Sequence, residues 1–407
     1  METGVKKSKI AYFTIFSIIF ITFFEYVFQQ TVFSRGGLHM YIVIGIFSLT
    51  IAKGFMDIKS FSLVWVPFYI CIFIHSLISY ISVYYVFIYM STWGFIGLLI
   101  DYSEDMIKKI MGLIGFFALV FALGCIFQKL FNELYLSYIP DFFRLESKQL
   151  LLSWNKWDMM SGFAYQPTFA AGVICIGIIA NWVYWNKGKT FLMQIILYWA
   201  LILTAKRSFI VLAIVVPMIV YYFSYTKKNK GSKIFVIIGL LGLVFFAYSF
   251  LQASESDIVL MERIERTFSA VNTNEATSGR GELADYAIEL FKHNYMMGIG
   301  FGRFSLYYGT SVHNVYLQLL CETGILGFIS FIGPAVVSLL NTIKKAAHLV
   351  NQEKKVVYAI KFSLSMQLLF LIYAFVGNPL YNLQWIYIYF LACALSSCTK
   401  IKAEGGE

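Results

Sequence analysis

The run IMGLIGFFALVFALGCIFQ, residues 110–128, decides the fold. It carries no charge between Lys109 and Lys129. At ~1.5 Å rise per residue, a helix of this length crosses the ~30 Å hydrocarbon layer of a bilayer. Working outward, comparable runs lie near 10–28, 38–52, 61–79, 81–100, 164–185, 190–205, 208–225, 234–252, 314–343, 356–376 and 379–398. The stretch 61–100 is divided by a turn near Tyr80. With 59% hydrophobic and 13% charged residues, against roughly a quarter charged in soluble domains, the whole of 1–407 reads as one membrane domain. The expected fold is an all-α polytopic membrane protein of about twelve transmembrane helices.

The first run follows Lys6, Lys7 and Lys9, but it contains Glu25 and leads into Gln29, Gln30 and Thr31. It therefore reads as a retained span rather than a cleaved signal. Cys71, Cys125, Cys175, Cys321, Cys393 and Cys398 all fall within or at the end of apolar runs, with neither disulfide nor metal spacing. No metal site and no cofactor is expected.

The net charge of +10 follows membrane topology rather than a nucleic-acid surface. With the N- and C-termini cytoplasmic, Lys53, Lys59, Lys108, Lys109, Lys187, Lys189, Lys227, Lys228, Lys230, Lys233, Lys344, Lys345, Lys354, Lys355, Lys400 and Lys402 all face inward, the positive-inside bias. The other face holds Lys129, Lys148, Lys156, Lys206 and Lys292 and every arginine: Arg35, Arg144, Arg207, Arg263, Arg266, Arg280 and Arg303. Insertion explains inward lysine; outward arginine needs another cause. Guanidinium offers phosphate a bidentate fork, whereas ammonium is a point charge. The competing reading is that these arginines pair with the acidic residues of their own loops, from Glu255 to Glu289.

Two exoplasmic loops are long, 129–163 and 253–313. Such loops on a rigid scaffold are where function gathers. The first carries Tyr135, Tyr138, Phe142, Phe143, Trp154 and Trp157, with Tyr165 just beyond it, either a sugar-stacking set or an interfacial belt. In the second, Leu283, Ala287, Ile288 and Phe291 recur at helical spacing, which predicts a short amphipathic helix on the membrane. Arg280 stands at its start, where an anion is favoured. Gly298-Ile299-Gly300-Phe301-Gly302-Arg303 resembles a phosphate loop but lacks the strand and the lysine of one. It reads as a turn of closely approaching backbone. His313-Asn314 enters the tenth span, and His313 is the strongest general-base candidate on this face, His293 being its competitor. Lys206 and Arg207 share a tight exoplasmic turn. Within the spans, Glu25, Glu322 and Lys361 are the only full charges, which argues against an ion-coupled transporter.

Arg207 after a span, Arg280, the Gly298 to Gly302 cluster, and His313-Asn314 followed by Glu322-Thr323-Gly324-Ile325-Leu326-Gly327 together resemble the O-antigen polymerase and ligase superfamily. The similarity is most specific over 278–330 and looser elsewhere. It implies a metal-independent glycosyltransferase of the bacterial inner membrane, using an undecaprenyl-diphosphate-linked oligosaccharide on the periplasmic side. Arg207 and Arg280, with Lys206 and Arg303, would hold the diphosphate; His313 would take the acceptor proton. Asn314, Glu322 and Arg144 would support these groups or the acceptor. The aromatic run Val315-Tyr316-Leu317-Gln318 looks more like a polymerase, extending O-antigen or capsule repeat units, than a ligase delivering the glycan to a lipid A core. Membrane lipids and a chain-length regulator are the further partners implied. Polymerases often carry an arginine-rich first loop, whereas 129–163 supplies Arg144 with Lys148 and Lys156. A lipid-linked oligosaccharide flippase is the non-enzymatic alternative; it calls for a cation-lined cavity deep in the membrane.

Overall fold

A computed structural model describes residues 15–20, 22–24, 27–28, 30–32, 60–77, 80–93, 99, 102–184, 189–225 and 280–401. The spans expected at 38–52 and 234–252, loop residues 253–279, and Arg35, Arg263 and Arg266 lie outside these residues. The described helices are α1 (Ser60–Ser76), α2 (Tyr80–Trp93), α3 (Glu104–Leu130), α4 (Asn132–Tyr138), α5 (Leu145–Lys156), α6 (Pro167–Val183) and α7 (Lys189–Leu203). They continue with α8 (Arg207–Tyr225), α9 (Arg280–His293), α10 (Phe304–Tyr308), α11 (Val315–Ala346), α12 (Lys354–Tyr373) and α13 (Leu383–Cys398). Among the described residues there is no strand, only an isolated bridge between Thr31 and Phe143.

Four of these helices, Glu104–Leu130, Arg207–Ser224, Val315–Ala346 and Lys354–Tyr373, are long and apolar enough to cross a membrane, and shorter apolar helices accompany them. The protein is multi-pass and all-helical. The helix holding the opening run begins earlier than its apolar stretch. Ser103 accepts from the Met106 N–H at 3.1 Å, a cap of the usual type. Lys108 and Lys109 then pair one turn back with Glu104 at 2.5 Å and Asp105 at 2.9 Å. These two lysines, expected in a loop, are helical because i,i+4 pairing suits them there.

Small residues set the close crossings. A Cβ on Gly177 of α6 would overlap the Ala118 methyl of α3, so the two backbones meet where neither carries bulk. Around this contact a single apolar core joins α1, α2, α3, α6, α7, α8, α11, α12 and α13.

The contacts sort the helix ends into two groups. At one end Lys345 donates to the carbonyls of Ser396, at 2.5 Å, and Thr399, at 2.9 Å. Tyr102 bonds Thr399 there as well. At the other, Met160 N–H bonds Leu203 O at 3.0 Å and Val315 N–H bonds Ala374 O at 2.9 Å. Lys345 marks the first end; Lys206, Arg207 and His313 stand close in sequence to the contacts of the second.

The loop 129–163 folds on its own small core of Tyr135, Phe143, Leu151 and Tyr165. The Tyr135 hydroxyl donates to Gly162 O, and burial pushes its phenol above the ordinary value. Lys129 and Lys148 pair with Asp158 and Asp141. The loop aromatics therefore divide: Tyr135, Phe143 and Tyr165 are internal, while Tyr138, Phe142 and Trp157 face outward. The first group is neither belt nor stacking platform, because its rings are spent on packing.

Candidate functional site

The tenth predicted span, α11, is broken. Gly324 sits at φ 65°, ψ −169° within an otherwise helical segment, a geometry reserved for glycine. A break frees backbone groups that must be bonded elsewhere, and the glycine-rich segment supplies the partners. Ile299 N–H bonds Cys321 O at 3.0 Å, Gly300 N–H bonds Glu322 O at 2.8 Å, and Ile325 N–H bonds Tyr295 O at 2.8 Å. Gly298, at φ 69°, lies so close that a Cβ would strike the backbone of Glu322 and Thr323. The close approach expected of this cluster is made to α11.

Glu322 is fully buried. One carboxylate oxygen accepts from Gly302 N–H at 2.7 Å and the Tyr381 hydroxyl at 2.5 Å. The other accepts from Phe304 N–H at 2.9 Å and the Gln318 amide at 3.1 Å. Four donors thus hold a carboxylate that sequence alone shows only as an isolated charge in a span. Gln318 extends the network: its oxygen accepts from Val312 N–H at 3.2 Å and the Asn378 amide at 2.7 Å. Beside it opens a cavity of about 350 Å³ lined by Tyr85, Gly302, Ser305, Leu306, Ser311, Gln318, Asn378, Tyr381 and Asn382.

His313 stands at the mouth of α11 with φ 59°, a left-handed conformation uncommon outside glycine and worth attention where chemistry is suspected. Asn314 caps the helix, accepting from Leu317 N–H at 3.2 Å. Arg207 begins α8 after a turn in which Ala205 is also left-handed, at φ 54°. Lys206 lies 4.5 Å over the Trp154 ring, a cation–π contact.

The chain next to Arg207 and the chain next to His313 contact the same helix end. Phe209, two residues after Arg207, packs on Tyr373 with ring centroids 4.6 Å apart; Val315, two after His313, bonds the next residue, Ala374, at 2.9 Å. Arg280 is the first residue of α9. Leu283, one turn on, packs into the cluster that contains Val312, the neighbour of His313.

The apolar side of α9 is Leu283, Ala287, Leu290 and Phe291, turned toward Phe304, Cys321 and Leu317, while Ile288 is 39% exposed. The helix is amphipathic, but its apolar face is covered by protein. Arg303 donates to Ile299 O at 3.0 Å and lies 5.6 Å from the Tyr307 ring. Arg144 is exposed, 2.8 Å from Gln30 O through its own N–H. His293 is exposed at the end of α9. Sequence reading missed Gln318, Asn378 and Tyr381, neutral residues whose only signal is polarity inside or beside apolar runs.

Fold and composition together define a multi-pass helical membrane protein. Residues 190–332 match the O-antigen ligase family, which bears out the resemblance to the O-antigen polymerase and ligase superfamily. A membrane enzyme of that general type is indicated, and a flippase is not supported. No curated protein matches the chain.

Proposed function

We propose that the protein transfers a glycan from undecaprenyl diphosphate to a hydroxyl of a second lipid-linked repeat unit, on the exoplasmic face of the bacterial inner membrane. The observation that carries this is the common anchoring of the chain beside Arg207 and beside His313 on Tyr373 and Ala374, Arg207 and His313 themselves lying within the residues that the family match includes. The acceptor oxygen attacks the anomeric carbon, the bond from that carbon to the phosphate oxygen breaks, and the hydroxyl proton passes to His313. Undecaprenyl diphosphate leaves with the bonding electrons.

Arg207 and Arg280 hold the diphosphate by paired N–H groups as its charge develops. Lys206, on its tryptophan face, adds positive potential, and Arg303 has N–H groups beyond the one given to Ile299. Asn314 and Glu322 fix the base and the glycine turn, and Arg144 borders the acceptor side. A general base of this kind contributes about 10²–10⁴-fold.

Delivery to a lipid A core is the second reading, favoured by the ligase description of the matched family. Incubating the purified protein with lipid-linked repeat units alone separates the two. Lengthening chains support polymerisation, transfer only after lipid A core is added supports ligation, and no transfer in either mixture refutes both.

A further inference from the structure

Among the described residues, the lining of the cavity beside Glu322 is polar and aromatic and carries no charge. Its amide orientations are determinate. The Glu322 carboxylate needs a donor, so Gln318 turns its NH₂ toward it; the Gln318 oxygen then requires donors, so Asn378 turns its own NH₂ toward Gln318. The Asn378 oxygen is left shielded from solvent with no hydrogen-bond donor, although Asn378 is only 9% exposed. Buried acceptors are nearly always satisfied, and this one belongs to a residue that lines an open cavity.

The other walls suit the same kind of partner. Ser305, Ser311 and Asn382 bring hydroxyl and amide groups, while Tyr85 and Tyr381 bring aromatic rings, their centroids 5.8 Å apart and nearly perpendicular. A phosphate would find no countercharge among these described lining residues. A neutral ring with several hydroxyl donors finds an acceptor, amide and hydroxyl partners and an apolar wall. At about 350 Å³ the cavity is small among ligand sites, sized for a sugar residue rather than an oligosaccharide.

We infer that this cavity binds the acceptor sugar, with the Asn378 oxygen accepting a hydrogen bond from one of its hydroxyls. The inference rests on the transferase reading for the word acceptor, and on the cavity alone for the word sugar. Ser311, which lines the cavity, stands two residues before His313, so a sugar held there lies next to the base.

The probe is the lipid-free repeat-unit oligosaccharide released by mild acid from the source cells' lipid-linked glycan, with binding read by saturation-transfer NMR on the full chain in detergent. Folded wild type should bind it. Asn378→Leu should weaken binding at least about tenfold through the lost acceptor. Ser305→Phe, at an exposed rim position that leaves the buried network intact, should do the same by filling the cavity. Unchanged affinity in both variants, or no binding by folded wild type, overturns the inference. Asn378-dependent binding by a chain that transfers nothing supports the sugar site and defeats the transfer reading alone.

Discussion

Glu322→Ala is the substitution with the most calculable outcome. The side chain is fully buried and receives four hydrogen bonds, from Gly302, Phe304, Gln318 and Tyr381. Removing the carboxylate leaves four donors without an acceptor, and at roughly 1 kcal/mol for each the loss is about 4 kcal/mol. Glu322→Gln is gentler by a countable amount. The amide oxygen can keep Phe304 and Gln318, and the Tyr381 hydroxyl can rotate to accept from the new NH₂. Only the Gly302 N–H then faces another donor, which costs about 1–3 kcal/mol. Reversible unfolding in mixed micelles, followed by tryptophan fluorescence, should order wild type above Gln and Gln above Ala. An alanine variant as stable as wild type, or a glutamine variant as damaged as alanine, would refute the account of the network.

Three further outcomes follow from the same geometry. His313→Asn retains a residue tolerant of the left-handed conformation but loses the base, so transfer should fall about 10²–10⁴-fold with stability unchanged; full turnover would remove His313 from the chemistry. Arg207→Lys and Arg280→Lys keep the charge and lose the fork, so KM for the lipid-linked donor should rise several-fold while expression holds, and an unaltered KM would count against diphosphate binding. Gly298→Ala and Gly324→Ala each place a methyl group against backbone at positive φ; where an unstrained replacement would stabilise by up to ~1 kcal/mol, both should instead destabilise by more than that amount, measured in the same unfolding assay.

Much of the architecture is written in apolar runs and in the side to which lysine is assigned, because insertion acts on local composition. The Ser103 cap and the pairing of Lys108 with Glu104 were equally local, and their effect was to lengthen α3. The helix Arg280–His293 showed its period in sequence, yet Leu290 rather than Ile288 completes the covered face, since packing on Phe304 and Cys321 chooses the stripe. The residues proposed for the site stood out in the sequence as rare types, arginine and a histidine at a span mouth. What stayed hidden was the neutral network. Nothing in sequence ties Gln318 to Asn378 or Glu322 to Tyr381, about 60 positions apart, and glutamine in an apolar run looks like any other tolerated polar residue. The glycine cluster was visible as a motif, but its true partner was a helix break that only Gly324 betrays.

The pairing of Glu322 with Tyr381 also fixes an order of assembly. Chains grow from the N-terminus, so α11 enters the membrane while the residues that complete its polar end have yet to be made. Until the connection between α12 and α13 arrives, Glu322 lacks one of its donors and Gln318 lacks Asn378. The hairpin of α12 and α13 therefore completes this network, and a nascent protein stalled before it has His313 and the glycine turn but only an unfinished cavity.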